Sequence, residues 1–549
     1  MEIIEPHQQA VLEAFRRGEF DQIEIIGHAD EKEFFELCLK EKMLEALAKE
    51  MPTERKKEEV PLWFQLAANL SLKLHLENAY SAFERVVRCG GLLSALDPSI
   101  ATKHLDKESQ KWVLQCQGFN DKNHYDRTTP CDHDTLRKAV KDVKADRWMD
   151  WFNGAVQEVF QSYGFFDPSG IFIGDGSYLF VPDNPAYEDS VVMWFDEHNH
   201  PVEYDKLSLE ERKKAHRERC YKLVSILHLR GESFVYAAMK LVPGNAHECP
   251  VLYELVNQFV QRVGQGVMKL LILDRGFVDG KNISRCKAQW GIDVLLPMKK
   301  KMDIWKDAWA LGERARWKTV VPSAPAPKKI PENRPEAIVR RESKRQKTLA
   351  QLKAQEPPPD AAKVLKRTEL GAIEGFNSWS ECTVPINVVL IREVYGDGHQ
   401  DQWALMSTGP MIDPVKPKEQ YGLRVAIEER HRILKCFHDL NDFSSRRFNV
   451  IAAQVVFILL SYTLRQWQLW KLQQERLAGK SPGFLERELS AHSQFVVIYH
   501  EHAYAQLPLV SFTRELLELN GEAQAKALTK VRRLEQSLLS PLPNLRAPP

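Results

Sequence analysis

Residues 170–180 read Gly-Ile-Phe-Ile-Gly-Asp-Gly-Ser-Tyr-Leu-Phe, and residues 267–277 read Val-Met-Lys-Leu-Leu-Ile-Leu-Asp-Arg-Gly-Phe. Each is a short apolar run that meets an Asp with glycine within two residues. Such runs predict buried strands. Asp175 and Asp274 are then expected at strand ends, where a carboxylate projects from the rim of a sheet. Taken singly, either Asp is also explained as a turn cap, because Asp and Gly are common turn residues.

The surrounding pattern supports an α/β core. Residues 223–228, 233–240 and 292–296 predict further strands, and 251–263 predicts a helix. Strand-like sequence resumes at 384–394 and 402–406. Strands mixed with helices in this way point to an α/β architecture.

Residues 1–165 read as helical. Leu62, Leu66, Leu70 and Leu74 recur every fourth position, so a helix there is buried on one face or on most sides. Asp132 and Asp134 follow Thr129-Pro130 and can start a second helix with an apolar stripe of Leu136, Val140 and Val143. Arg137, Lys141 and Lys144 fall on another face, either as a solvated surface or as contacts to phosphate. The longest apolar run, 450–460, contains Gln454 and is shorter than the ~20 residues a membrane span needs, so a buried helix is expected. Beyond Thr463 the chain reads as helical again and ends in a Pro-rich tail.

Composition narrows the class. The 549 residues carry 76 Lys and Arg against 75 Asp and Glu, a formal net charge of +1. Length predicts several domains. With 44% apolar and 28% charged residues, a disordered, collagen-like or membrane-transport chain is excluded, as is a small basic DNA-coating protein. The balance hides unlike parts: thirteen acidic and six basic residues in the first fifty, against twelve basic and six acidic between Lys328 and Glu369. That second stretch lies in a Pro-rich interval, 321–368, which reads as an exposed basic insertion. The nine cysteines include no CxxC pair, so a reducing cytoplasm is expected rather than a disulfide framework. Cys116, His124, Cys131 and His133 match no standard zinc spacing. The acidic N-terminus does not read as a signal peptide.

A third element adds chemistry. Residues 421–435 read Tyr-Gly-Leu-Arg-Val-Ala-Ile-Glu-Glu-Arg-His-Arg-Ile-Leu-Lys, within a long helix expected from about Lys418. Tyr421, Arg424, Glu428 and Lys435 are offset by three, seven and fourteen, which sets them on one helical stripe. A carboxylate flanked by cations one turn away is oriented and kept ionised. An ordinary surface pair, Arg424–Glu428, is the plainer explanation.

The pattern Tyr-x2-Arg-x3-Glu-x6-Lys resembles the YREK signature of DDE transposases of the fourth insertion-sequence family. Asp175-Gly-Ser resembles that family's first catalytic aspartate, and Asp274-Arg-Gly-Phe its second, Asp-Arg-Gly-aromatic. The order Asp, Asp, Glu agrees, and the resemblance spans about 168–465. It implies an RNase H-like catalytic core with a strand-rich insertion between the second Asp and the Glu, flanked by helical N- and C-terminal regions. The division expected is a DNA-end-binding region at 1–165, the first part of the core at 166–300, and the insertion at 301–410. The catalytic helix and a core helix follow at 411–470, and a helical dimerisation region at 471–549.

The same resemblance implies cut-and-paste transposition: DNA cleavage at transposon ends, then strand transfer into target DNA. Its chemistry is two-metal phosphodiester transfer on Mg²⁺, with Mn²⁺ as substitute. Asp175, Asp274 and Glu428 would be the catalytic residues and metal ligands, with Asp175 bridging both ions. Tyr421, Arg424 and Lys435 would bind DNA through phosphate. Family members often stack a flipped base on a tryptophan of the insertion, for which Trp305, Trp309, Trp317, Trp379 and Trp403 are candidates. Lys299-Lys-Lys301 could meet phosphate or be a solvated turn. The implied partners are double-stranded DNA, as terminal inverted repeats and target, and a second copy in a homodimer on the DNA. No membrane is implied. The implied setting is a bacterial cytoplasm, at the nucleoid when DNA-bound. Competing readings are an RNase H-like metal-dependent nuclease, a domesticated DNA-binding protein without transposition, and a cytosolic enzyme with no DNA partner.

Overall fold

The structure, a computed structural model, describes residues 5–26, 29–56, 60–83, 86–87, 91–95, 101–105, 112–116, 119, 129–315, 317–321, 364–411, 413–482, 484–485, 495–501 and 503–539. The basic Pro-rich interval, apart from its two ends, the C-terminal tail and His124 of the Cys/His group lie outside the described residues. Among the described residues seven cysteines, Cys131 included, form no disulfide. The fold is mixed α/β and divides into two compact units. The first comprises Met1–Phe166, Gly176–Ala246 and Glu429–Pro549; the second comprises Asp167–Asp175 and His247–Glu428.

The second unit is built on short parallel strands. Ile171–Val181 begins in it, and its first residues pair in parallel with Leu270–Ile272, which pairs in parallel with Asp293–Pro297. Parallel neighbours need a long crossover. Glu248–Val263 is the helix that precedes Leu270–Ile272, and Gly280–Trp290 joins that strand to Asp293–Pro297. Phe172, Ile173, Leu271, Ile272, Val294 and Leu295 are all buried, as parallel strands covered on both faces should be. The strand-rich insertion makes no sheet of its own. Gln400–Ser407 adds antiparallel to Asp293–Pro297, and Ile386–Tyr395, Leu365–Phe376 and Trp317–Val320 follow in antiparallel succession.

In the first unit Ile171–Val181 neighbours His216–Arg230, which pairs antiparallel with Ser233–Pro243 and with Val191–Phe195. An antiparallel pair, the Asp175 strand and then two parallel strands is the strand succession expected of an RNase H-like core. The centre of this unit is the helix Phe448–Lys471. It is long and apolar enough to cross a membrane, yet it is mostly buried inside the protein. Phe457 packs against Trp148 and Trp151, and Trp467 stacks on Phe165. Its polar interruption is satisfied: Gln454 Nε2 donates to the Asp442 carbonyl, and its Oε1 accepts from Ser444 N–H. Asn153 exchanges two hydrogen bonds with Met239 and so pins a π-helical turn to the sheet.

Three expectations are corrected. The first 165 residues are not wholly helical, and neither is the region beyond 463. Glu5–Pro6 and Gln22–Ile26 join Phe495–His500 and Ala503–Pro508 in a four-stranded sheet, and Ala101–Leu105 pairs with Trp112–Cys116. Val11, Phe15, Ile23, Ile498, Leu507 and Phe512 form its core, and Arg16 makes a bidentate pair with Glu515. The basic helix is His133–Lys141, capped by Asp132, and Lys144 instead caps the next helix, Ala145–Trp151. The strand before Asp274 is only three residues long.

Two buried imidazoles give the first unit an acid sensitivity. Burial and Lys435 push the pKa of His431 down to about 3; burial, Arg465 and Lys73 push His438 down to about 4. Both lie below the unfolded value of ~6.5. Below that pH the unfolded chain binds protons that the folded chain refuses. The stability they support should be complete above pH ~6.5 and fall as pH drops towards 4. Urea unfolding of the wild type and of His431→Gln at pH 7 and pH 4.5 checks this: the variant should lose less stability between the two.

Candidate active site

The site begins with strand register. Ile173 lies opposite Ile272 in the parallel pair, so the same register carried two residues further sets Asp175 opposite Asp274. Asp175 is not at a strand end, since its strand runs on to Val181; it stands just past the parallel-paired stretch. That excludes the turn-cap explanation for it. Asp274 begins the 3-10 turn Arg275–Phe277, yet its side chain makes no capping hydrogen bond there. Its carboxylate is not used by the turn. The turn is instead held by Tyr253, whose buried hydroxyl donates to the Phe277 carbonyl at 2.9 Å.

Gly174 is required by packing. A Cβ there would come within 2.7 Å of both Leu252 and Leu273. A side chain at position 174 would therefore require the Leu252 and Leu273 methyl groups to move.

The third acidic residue arrives by a broken helix. Val415–Gly422 ends where Val425–Phe437 begins, with Leu423 and Arg424 in a turn between them. This corrects the single-stripe expectation. Leu423 and Arg424 donate three residues back, to Gln420 and Tyr421, rather than four. Gly422, a poor helix former, sits at the break. Three-residue spacing in such a turn eclipses side chains. Arg424 accordingly lies over the Tyr421 ring, 5.9 Å from its centroid. Arg424 Nη2 then reaches Glu428 Oε1 at 2.5 Å, one turn into the second helix.

Arg424 is the electrostatic centre of the group. Burial works against its charge, but Tyr421, Glu428, Asp274 and Asp175 outweigh burial and hold its pKa above the ordinary value. The structure thus gathers Asp175, Asp274, Glu428, Tyr421 and Arg424 in the second unit. Lys435 lies two turns further along the same helix, within the first unit. The first of the two helices is fixed to the insertion: Lys418 pairs with Glu393 and Lys318 with Asp413.

Two neighbours add to the group, of which only Glu248 was not named from the sequence. Glu248 places a carboxylate oxygen 3.3 Å from where a Gly276 Cβ would stand. Its one local signal is its position in the first turn of a helix, after the His247 cap. Trp403 was one of five tryptophan candidates, and its ring lies 6.1 Å from that of Tyr421. Trp305, Trp309 and Trp317 instead pack on one another, with Arg392 over Trp309 and Trp317.

An all-carboxylate donor set suits a hard divalent cation such as Mg²⁺ or Mn²⁺. Among the described residues no three His, Cys, Asp or Glu side chains are grouped closely enough to hold an ion. The three carboxylates fit such an ion in donor type, and here they share the guanidinium of Arg424 as their positive charge.

The family model described as "Transposase DDE domain" matches residues 188–464, half of the chain. The chain belongs to that family. The matched stretch contains Asp274 and Glu428 and begins after Asp175. No curated protein matches the chain. Among solved structures, a piggyBac transposase synaptic complex with hairpin DNA, determined by cryo-EM, is similar at 10% identity, with 94% of this chain and 86% of that chain covered and a TM-score of 0.34.

Gly174→Ala tests the packing. Overfilling this contact should cost about 1–3 kcal/mol and displace the Asp175 segment. Denaturant unfolding should report the loss, and DNA cleavage should fall by more than stability alone explains. An unchanged unfolding midpoint would contradict the close approach.

Proposed function

We propose that this member of the DDE transposase family is an active cut-and-paste transposase of the YREK type. The observation that carries the proposal is Arg424, which is ion-paired with Glu428 and whose charge is also favoured by Asp274 and Asp175. Water would first cleave a phosphodiester at the transposon end and leave a 3′ hydroxyl. That hydroxyl would then attack a phosphodiester of target DNA, with the target's own 3′ oxygen as leaving group. No Ser or Tyr nucleophile is required.

Asp175, Asp274 and Glu428 would hold Mg²⁺, which when bound supplies an activated nucleophile and charge neutralisation at phosphorus. Tyr421, Arg424 and Lys435 would hold backbone phosphates of the transposon end. Arg424 suits this task because its planar fork matches phosphate oxygens. Of the five tryptophans, Trp403 is favoured as the platform for a flipped base, because it stands beside Tyr421. The N-terminal region would recognise terminal repeats, and the C-terminal region would pair two copies on DNA. Val510 and Leu517 support the pairing: they lie seven apart on the helix Leu509–Glu518 and are 80% and 73% exposed.

The test is incubation of the purified protein with Mg²⁺, a duplex carrying the ends of its own element, and a target plasmid. Cleaved ends and joined products are expected, and chelation with EDTA should stop both. Asp175→Ala, Asp274→Ala or Glu428→Ala should each lower cleavage by roughly a thousand-fold or more, with DNA binding retained. Cleavage without joined product would point to a nuclease, and full activity of Asp175→Ala would overturn the site.

A further inference from the structure

The first unit contains a second constellation suited to phosphate. A cavity of about 120 Å³ is lined by Arg137, Lys141 and Arg447, with Tyr80, Ser444 and Ser445; the Tyr80 hydroxyl donates to Asn69 and that of Ser444 to Gln454. Its remaining lining residue is Val450, so among the described residues no carboxylate lines it. Three elements meet there: the basic helix His133–Lys141, the turn at Tyr80, and the start of the helix Phe448–Lys471. Asn449 fastens them, donating to the Lys141 carbonyl and accepting from Ala145 N–H at 2.9 Å. The cations are therefore carried on a fixed frame.

Among the described residues, two of the three charges are not cancelled. Asp134 takes one edge of Arg137, at 2.9 Å from Nε. Glu188 lies beside this segment, its carboxylate accepting from the Phe448 N–H and its own N–H donating to the Arg446 carbonyl. Lys141 and Arg447 have no ion-pair partner among the described residues. Arg447 is exposed and Lys141 half-buried. Lys144 and Arg446 are exposed beside them in sequence and extend the positive surface beyond the cavity. A track of cations that continues beyond the cavity suits one phosphate of a polyanion better than an isolated anion.

We propose that this cavity seats a backbone phosphate of duplex DNA, at an anchor separate from the Asp175–Asp274–Glu428 group. The assignment rests on the reading of the chain as a DNA-transposing enzyme. The anchor reads no bases, so it would fix the duplex in place without choosing its sequence.

The experiment compares the full-length wild type with the double variant Lys141→Gln/Arg447→Gln. Binding to an end-bearing duplex is measured by fluorescence anisotropy from about 50 to 200 mM KCl. Loss of two phosphate contacts should make the slope of log K against log salt shallower by about 1.8, with affinity lowered at least tenfold at low salt. Lys141→Arg/Arg447→Lys should retain the wild-type slope, and equal thermal midpoints confirm the fold. A double variant with unchanged slope and affinity overturns the anchor while end cleavage by the wild type still upholds the transposase. Stabilisation by inorganic phosphate that the double variant loses, with DNA binding unchanged, overturns it in favour of a free-anion site. A wild type that binds no DNA overturns both.

Discussion

Like charges on neighbouring strands repel, and the second unit is organised around that constraint. The parallel register of Ile173 with Ile272, carried two residues further, directs Asp175 and Asp274 to the same edge of the sheet. In a half-buried setting the repulsion is weakly screened. Arg424 answers it with a guanidinium that feels both aspartates and is bonded to Glu428. The turn at Leu423–Arg424 makes this possible. On one continuous helix, Tyr421 and Arg424 would not eclipse. The interruption brings ring, cation and carboxylate into one stack.

The insertion has a mechanical part in this arrangement. Its strands extend the same sheet through Gln400–Ser407, and its ion pairs hold the segment that carries Tyr421. The acidic groups and the phosphate-facing groups therefore share one hydrogen-bonded support. Displacement of the insertion strands would be transmitted to Tyr421 and Trp403, which sit in that support.

Much of this was legible because local physics dictated it. The apolar runs before Asp175 and Asp274 read as buried strands, whereas the contact of Leu252 and Leu273 at Gly174 was not legible, because it depends on how the helix packs. The run at 450–460 had to be an interior helix, and Gln454 found its partners there. The break at Leu423–Arg424 was hidden, since offsets of three, seven and fourteen fit an unbroken helix equally well. Glu248 was hidden too, because its approach to Gly276 depends on how a helix lies on a sheet. The strand Gln22–Ile26 has Glu24 in its middle, and its partners are some of the last residues of the chain. No local pattern reveals a pairing across that distance.

That pairing also orders events in time. The strand at Gln22–Ile26 is hydrogen-bonded to Phe495–His500, and Glu5–Pro6 to Ala503–Pro508. A ribosome delivers the opening strands first and their partners almost last. Until synthesis has passed residue 508, Ile23, Phe15 and Val11 have no sheet to close over them. The N-terminal segment must wait unpaired through nearly the whole of translation. Loss of residues 495–508 would leave it without those partners, with a bare sheet edge open to any other chain. Closure of this sheet thus depends on two segments that lie far apart along the chain.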